Sequence, residues 1–220
     1  MLNHRIKNDR QFLDPVTHQF RILEMLGIAQ KNAYLELWPQ DKDCQFIEEL
    51  LSSEWLSSNQ KIVGLNLSAS RRWTTKNWPL AQMTRLCLGL LKRDLRVVFT
   101  GTEEELPLAN ALAESVKELK PINACGKTSV NQLACLIKRC SVYISADSAP
   151  LHIAAATQTP FVAIFGPTDP RRHLPPAKNF ALIRKDLPCA PCYKAQCKKN
   201  DCMRLISAEE VLGAVDRLLK

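Results

Sequence analysis

The chain has 220 residues, room for one large domain or one and a half small ones. Hydrophobic residues make up 46% and charged residues 24%, a balance that builds a core and excludes a disordered, collagen-like or low-complexity chain. Lys and Arg total 30 against 22 Asp and Glu, a net charge of +8. That excess favours phosphates, nucleic acid or an anionic membrane surface, although a solvated basic face accounts for it equally well. The longest apolar runs, such as Phe161–Phe165, fall far short of the roughly 20 residues a bilayer span needs. Met1–Gln11 is polar, with no signal segment. The expectation is a cytoplasmic chain. Nine cysteines is a high, odd count, and without an export signal a disulfide framework is not expected.

In residues 1–60 an amphipathic helix runs from Pro15 to Leu26, with Val16, Phe20, Leu23 and Leu26 at helical spacing. An extended run follows at Tyr34–Leu37 and a second helical pattern at Asp41–Leu51. Ser52, Ser53, Ser57, Ser58 and Asn59 mark a linker. From Lys61 onward short β-rich runs alternate with helical stretches: Ile62–Leu67 then Leu80–Leu91, Arg96–Thr100 then Glu103–Lys117, Ile122–Ala124 then Ser129–Arg139, Val142–Ser145 then Pro150–Ala156. Phe161–Phe165 and Phe180–Ile183 close the series. This alternation predicts right-handed βαβ units and a parallel sheet, a Rossmann-like α/β domain over 61–220. Ligands of such sheets bind beyond the carboxyl ends of the strands. A last helix begins at Ser207, where Ser207 and Glu210 fit a capping box.

Three strand-to-helix loops carry the chemistry. In Val142–Ala156, an apolar strand ends in Ser145-Ala146-Asp147-Ser148 and a helix opens with Pro150 in its first turn. Asp147 or Ser148 suits the N-cap, and free amides with the helix dipole make an anion site there. Ser148 adds a hydroxyl, and His152 lies one turn further in. The bland alternative is an ordinary capped helix with a structural histidine. The second loop, Leu67–Pro79, offers Ser68, Ser70, Thr74, Thr75 and Lys76 to a phosphate, with Trp78-Pro79 as a structural brace. Neither a G-x-G-x-x-G nor a Walker loop is present. In the third, Ile164–His173, Gly166 permits close approach of a ligand and Thr168 and Arg171 are candidate contacts, unless this is simply a turn rich in Gly and Pro.

Together these segments resemble the heptosyltransferase family, the bacterial glycosyltransferases of family 9 that extend lipopolysaccharide cores from ADP-heptose. Asp147-Ser148-Ala149-Pro150-Leu151-His152 is similar to that family's D-[ST]-G-P-x-H stretch, alongside Phe165-Gly166-Pro167-Thr168. Lys76-Asn77-Trp78-Pro79 resembles its K-x-W-P loop, and Gly126-Lys127-Thr128-Ser129 its G-K-T-S turn. The resemblance covers residues 61–220 and implies the carboxyl-terminal, donor-binding half of a GT-B glycosyltransferase. It implies inverting transfer from an ADP-sugar to a lipopolysaccharide-core or related glycan acceptor, without cofactor or essential metal. Lys76 would contact the diphosphate, Ser68, Ser70, Asp147, Ser148, Ala149, His152 and Gly166 would line the donor site, and Thr168 would lie near the nucleotide. Fixed cations and amides would then stabilise the departing diphosphate. Peripheral contact with the inner membrane would suit the basic charge.

Two departures from the family pattern stand out. Ala149 replaces the usual Gly. Only about 60 residues precede the donor domain, whereas a whole acceptor domain needs about 100 or more, and nothing matches the family's general base. Residues 1–60 are therefore expected to be a remnant of the acceptor domain plus linker. The chain is expected to be a fragment, split subunit or truncated product, inactive alone and completed by an acceptor-domain partner.

A different class is suggested by Cys189-x2-Cys192-x4-Cys197-x4-Cys202. Four thiolates at these intervals could bind zinc, and Lys194, Lys198, Lys199 and Arg204 form a basic rim, as in a zinc-knuckle binder of single-stranded nucleic acid. Only Tyr193 offers a ring for base stacking, and free or redox-active thiols are the rival reading, so no nucleic-acid partner is expected. Cys44, Cys87, Cys125, Cys135 and Cys140 read as buried small hydrophobes, and His4, His18 and His173 as surface residues.

Overall fold

The computed structural model describes residues 13–53 and 60–220. Among them, strands β1 (Ile62–Asn66), β2 (Arg96–Thr100), β3 (Ile122–Asn123), β4 (Val142–Ala146), β5 (Phe161–Phe165) and β6 (Phe180–Arg184) form one parallel sheet in the order β3-β2-β1-β4-β5-β6. This is the doubly wound order, reversing between β1 and β4. Around it lie α1 (Pro15–Glu24), α2 (Asp41–Ser52), α3 (Leu80–Leu91), α4 (Leu106–Ser115), α5 (Val130–Arg139), α6 (Ala149–Ala156), α7 (Pro170–His173), α8 (Asp201–Arg204) and α9 (Ala208–Leu218).

Both faces of the sheet are covered, which is why its central strands are continuous apolar runs. On one face Val63, Leu65, Val97, Phe99, Ile144 and Ile164 pack against α3, α4 and α9 through Leu86, Leu90, Leu112, Val211 and Val215. On the other, Ile62, Val98, Tyr143, Phe161 and Ala163 meet α2, α5 and α6 through Ile47, Leu51, Leu136 and Leu151. Gly64 is required here. A Cβ on it would collide with the Tyr143 ring, which crosses β1 so that its hydroxyl meets Thr100 Oγ1 on β2 at 2.6 Å.

Several expected elements change shape. The helix expected over Glu103–Lys117 splits into a 3-10 turn at Glu103–Glu105 and α4, because Pro107 lies in the first turn of α4, where its missing N–H costs nothing. Tyr34–Leu37 pairs with no strand among the described residues. Short α7 and α8 had no periodic signal. His4 and the linker residues Ser57, Ser58 and Asn59 lie outside the described residues.

One cysteine reading is corrected. Cys44 and Cys135 form a disulfide, whereas Cys87, Cys125 and Cys140 are buried free thiols. The cause is the docking of α2 on α5, which buries Ile47 and Leu51, adds an Arg139–Glu48 ion pair at 2.8 Å and brings the two Cα atoms to 5.2 Å, inside the disulfide range. Spacing in the chain carries no trace of a pairing across 91 positions. Closing a loop that long typically stabilises by about 2–4 kcal/mol. Reduction, or Cys44→Ser, is expected to lower the thermal midpoint by about 5–10 °C; an identical melt with and without reductant would show that the bridge contributes nothing.

Candidate functional site

The crevice at the carboxyl ends of the strands opens where the strand order reverses. Three loops meet there: the one after β1 with Lys76, the one after β4 with Asp147 and Ser148, and the one after β5 with Thr168. β4 lies between β1 and β5, so Asp147 is reached from both sides. Its Oδ2 receives Lys76 Nζ at 2.8 Å and the Thr168 hydroxyl at 2.7 Å. Asp147 and Thr168 are buried, and the Lys76 side chain is only 17% exposed. Removing one partner of such a sheltered pair leaves an uncompensated charge. The Trp73 ring, 4.9 Å from Lys76 Nζ, adds a cation–π contact.

Ser148 occupies the N-cap of α6 as expected, yet its hydroxyl makes no cap bond. It joins Asn66 Nδ2 at 3.2 Å and Ser145 Oγ at 3.0 Å, which leaves the first turn of α6 without a side-chain acceptor. That is the condition in which a helix start receives an anion. Half-buried His152 lies one turn along. Its pKa is lowered, chiefly by burial; Asp147 opposes the shift, and His173 and Lys76 add to it. The imidazole is therefore mainly neutral at pH 7.

Beside this cluster opens a cavity of about 520 Å³ whose walls include Ser68, Ser70, Gly101, Glu103, Gly126 and Ala149. Ser68 donates to Glu105 Oε1 at 2.8 Å, and Ser70 Oγ accepts from the Arg72 amide at 3.2 Å. A second opening, of about 420 Å³, lies between α1 and the loop after β5, lined by His18, Gln19, Arg172, His173 and Tyr193 among others.

Four expected site residues are placed differently. Thr74 and Thr75 do not face a phosphate: their hydroxyls donate to the carbonyls of Ala195 at 3.4 Å and Lys194 at 2.6 Å. The space beside Gly166 is filled by the protein, since a Cβ there would stand 2.6 Å from Met203 Sδ and 3.0 Å from Cys202 Sγ. Arg171 is tied to Asp169 at 2.6 Å. Trp78 is the brace expected, buried with its indole N–H donating to the Ile206 carbonyl at 3.0 Å. Residue-type reasoning passed over Asn66 and the Gly101–Glu105 loop, although the latter follows β2 and the rule for ligands at strand ends points to it. His173 packs on Tyr193 with ring centroids 5.7 Å apart; no sequence signal joins these two.

Cys189, Cys192, Cys197 and Cys202 are free thiols. Among the described residues no group of three or more His, Cys, Asp or Glu side chains is arranged to hold a metal ion. Backbone N–H groups of Asn200 and Lys199 pull the exposed Cys197 thiol down, whereas burial pushes Cys202 up.

A doubly wound sheet with this loop cluster at its reversal point has the form of one half of a GT-B glycosyltransferase. The family model of glycosyltransferase family 9 (heptosyltransferase) matches residues 2–203, and the chain belongs to that family. Two lipooligosaccharide heptosyltransferase 2 proteins of Campylobacter jejuni are 28% and 32% identical to it, over 95% and 92% of this chain and 68% and 65% of their own. A family 9 glycosyltransferase from Veillonella parvula superposes with a TM-score of 0.84 at 25% identity, over 97% of this chain and 62% of that one. The ADP-heptose lps heptosyltransferase II of E. coli shares the fold, with a TM-score of 0.76 at 21% identity over 98% and 64%. The chain thus spans about two thirds of the length of these relatives. They are sugar transferases, and none lends support to a single-strand nucleic-acid binder. Among the described residues no helix is long and apolar enough to cross a membrane.

The depressed His152 pKa has a thermal consequence. Below its ordinary value of 6.5, the unfolded chain binds more protons at this site than the folded one. The stability it contributes is complete above that pH and lost as pH falls. His152→Gln is expected to flatten the acid side of the midpoint-versus-pH curve below about pH 6.5; a curve identical to the parent's would contradict the assignment.

Proposed function

We propose that residues 61–220 are the donor domain of a heptosyltransferase-type enzyme that binds an ADP-sugar, ADP-heptose by analogy with its relatives, for inverting transfer to a lipopolysaccharide-core or related glycan acceptor. Residues 1–60 are then the end of the acceptor half and its connection. The observation that supports this reading is Lys76 held on Asp147 and Thr168 at the start of α6, beside a cavity of nucleotide size. A diphosphate placed there meets a sheltered cation, the uncapped amides of α6 and neutral His152. The acidic loop Glu103–Glu105 suits the hydroxyls of a ribose.

In the transfer, an acceptor hydroxyl attacks the anomeric carbon from the face opposite the diphosphate. The bond from that carbon to the β-phosphate oxygen breaks with its electron pair, and the nucleoside diphosphate departs. The hydroxyl proton passes to a general base on the acceptor side. Lys76 and the α6 amides stabilise the charge growing on the leaving group, fixed in place before the reaction begins. The acceptor approaches past His18, Arg172, His173 and Tyr193, a basic opening suited to an anionic glycolipid. A net charge of +8 suits work at the cytoplasmic face of an anionic membrane.

ADP at about 100 times its dissociation constant is expected to stabilise the chain by about 2.7 kcal/mol, a rise of several degrees in the thermal midpoint. Lys76→Met should abolish the rise. A folded parent chain that ADP does not stabilise would contradict the reading.

A further inference from the structure

The segment between β6 and α9 carries the cysteine run and makes contacts that the donor site alone does not explain. Four consecutive residues, Cys192 to Ala195, bridge the two loops that converge on Asp147. Toward β5, the amides of Cys192 and Tyr193 both donate to the Pro167 carbonyl, at 2.9 and 2.8 Å. Tyr193 adopts a left-handed φ of 54°, the conformation in which successive N–H groups turn toward one oxygen. Its phenol oxygen accepts the Asp169 amide at 3.3 Å. These bonds bracket Thr168. Toward β1, the carbonyls of Lys194 and Ala195 accept the hydroxyls of Thr75 and Thr74, immediately before Lys76. The Thr75 side chain is buried, and its hydroxyl makes the shorter of these two bonds, at 2.6 Å.

We propose that residues 192–195 are a strap that fixes the distance between the Lys76 loop and the Thr168 loop across β4, and that Thr75 is the positioning residue through which the strap sets Lys76 for the diphosphate. This rests on the reading of Lys76 as the cation that binds the donor. The sheet holds β1 and β5 only through β4, and the loops beyond the strand ends have no ladder between them. The strap adds a backbone link to the one that Asp147 makes between Lys76 and Thr168. Thr75 touches no ligand: its hydroxyl holds the backbone of a short 3-10 turn, Thr74–Lys76, from which the Lys76 side chain reaches Asp147. Met203 and Cys202, packed against Gly166, seat the far end of the segment.

The test is calorimetric titration of the full chain with ADP at a temperature where every variant is folded. Thr75→Val keeps the shape and removes the hydroxyl that ties the 3-10 turn to the Lys194 carbonyl. It is expected to weaken ADP binding about tenfold, and Thr75→Ser, which restores the hydroxyl, to remain within about threefold of the parent. Tyr193→Phe, at an exposed ring, tests the other end without threatening the fold and is expected to weaken binding about threefold. Lys76→Met is the reference. If it loses binding while Thr75→Val and Tyr193→Phe match the parent, the strap does not position the site and the proposal is overturned with the donor reading intact. If Lys76→Met binds ADP like the parent, the donor reading itself fails and the proposal falls with it. Should Thr75→Val not fold, the Tyr193→Phe and Thr75→Ser titrations decide alone: parent-like binding by Tyr193→Phe overturns the strap, and weakened binding with Thr75→Ser preserved supports it.

Discussion

A single carboxylate oxygen organises the crevice. Asp147 Oδ2 accepts Lys76 from the β1 side and Thr168 from the β5 side, and it can do so only because the strand order places β4 between the two. A lysine brought to a buried carboxylate is costly to desolvate unless its partners are fixed beforehand. The surrounding structure supplies that fixing: Asn66 and Ser145 hold Ser148 beside Asp147, and Trp78 anchors the end of the Lys76 loop to the Ile206 carbonyl. In the proposed function, an incoming diphosphate would meet a cation already held in place by Asp147. Such preorganisation makes electrostatic stabilisation of a leaving group effective.

The same constraint accounts for features that look unrelated in the chain. Gly64 is bare because Tyr143 must cross it to reach Thr100, which pins β2, β1 and β4 beneath the site. Gly166 is bare because Met203 and Cys202 pack on it, which seats the cysteine segment. That segment in turn touches the loops after β1 and β5. Its cysteines thus lie in a structural element of the site, and the basic residues between them do not need nucleic acid to account for their place.

The regular part of the fold was legible because fully buried parallel strands and amphipathic helices write their periods directly into the chain. Leu80–Leu91, Arg96–Thr100 and Phe161–Phe165 begin and end as the pattern implies. Asp147, Lys76 and Thr168 were legible as members of one crevice because each follows a strand. Their convergence on one oxygen was not, since it depends on strand order, which no local pattern encodes. The Cys44–Cys135 bond and the turning of Thr74 and Thr75 away from the crevice escaped for the same reason. Both are set by which distant segment packs alongside. Gly166 misled because a glycine needed for packing and one needed for a ligand look alike in a sequence.

The most direct measurement is the position of ADP in a crystal of this chain grown with the nucleotide. The account predicts β-phosphate oxygens within hydrogen-bonding distance of Lys76 Nζ and the first amides of α6, with the nucleoside in the cavity beside Gly101–Glu105. Density for the diphosphate elsewhere, with the Lys76–Asp147 pair undisturbed and the crevice empty, would contradict it.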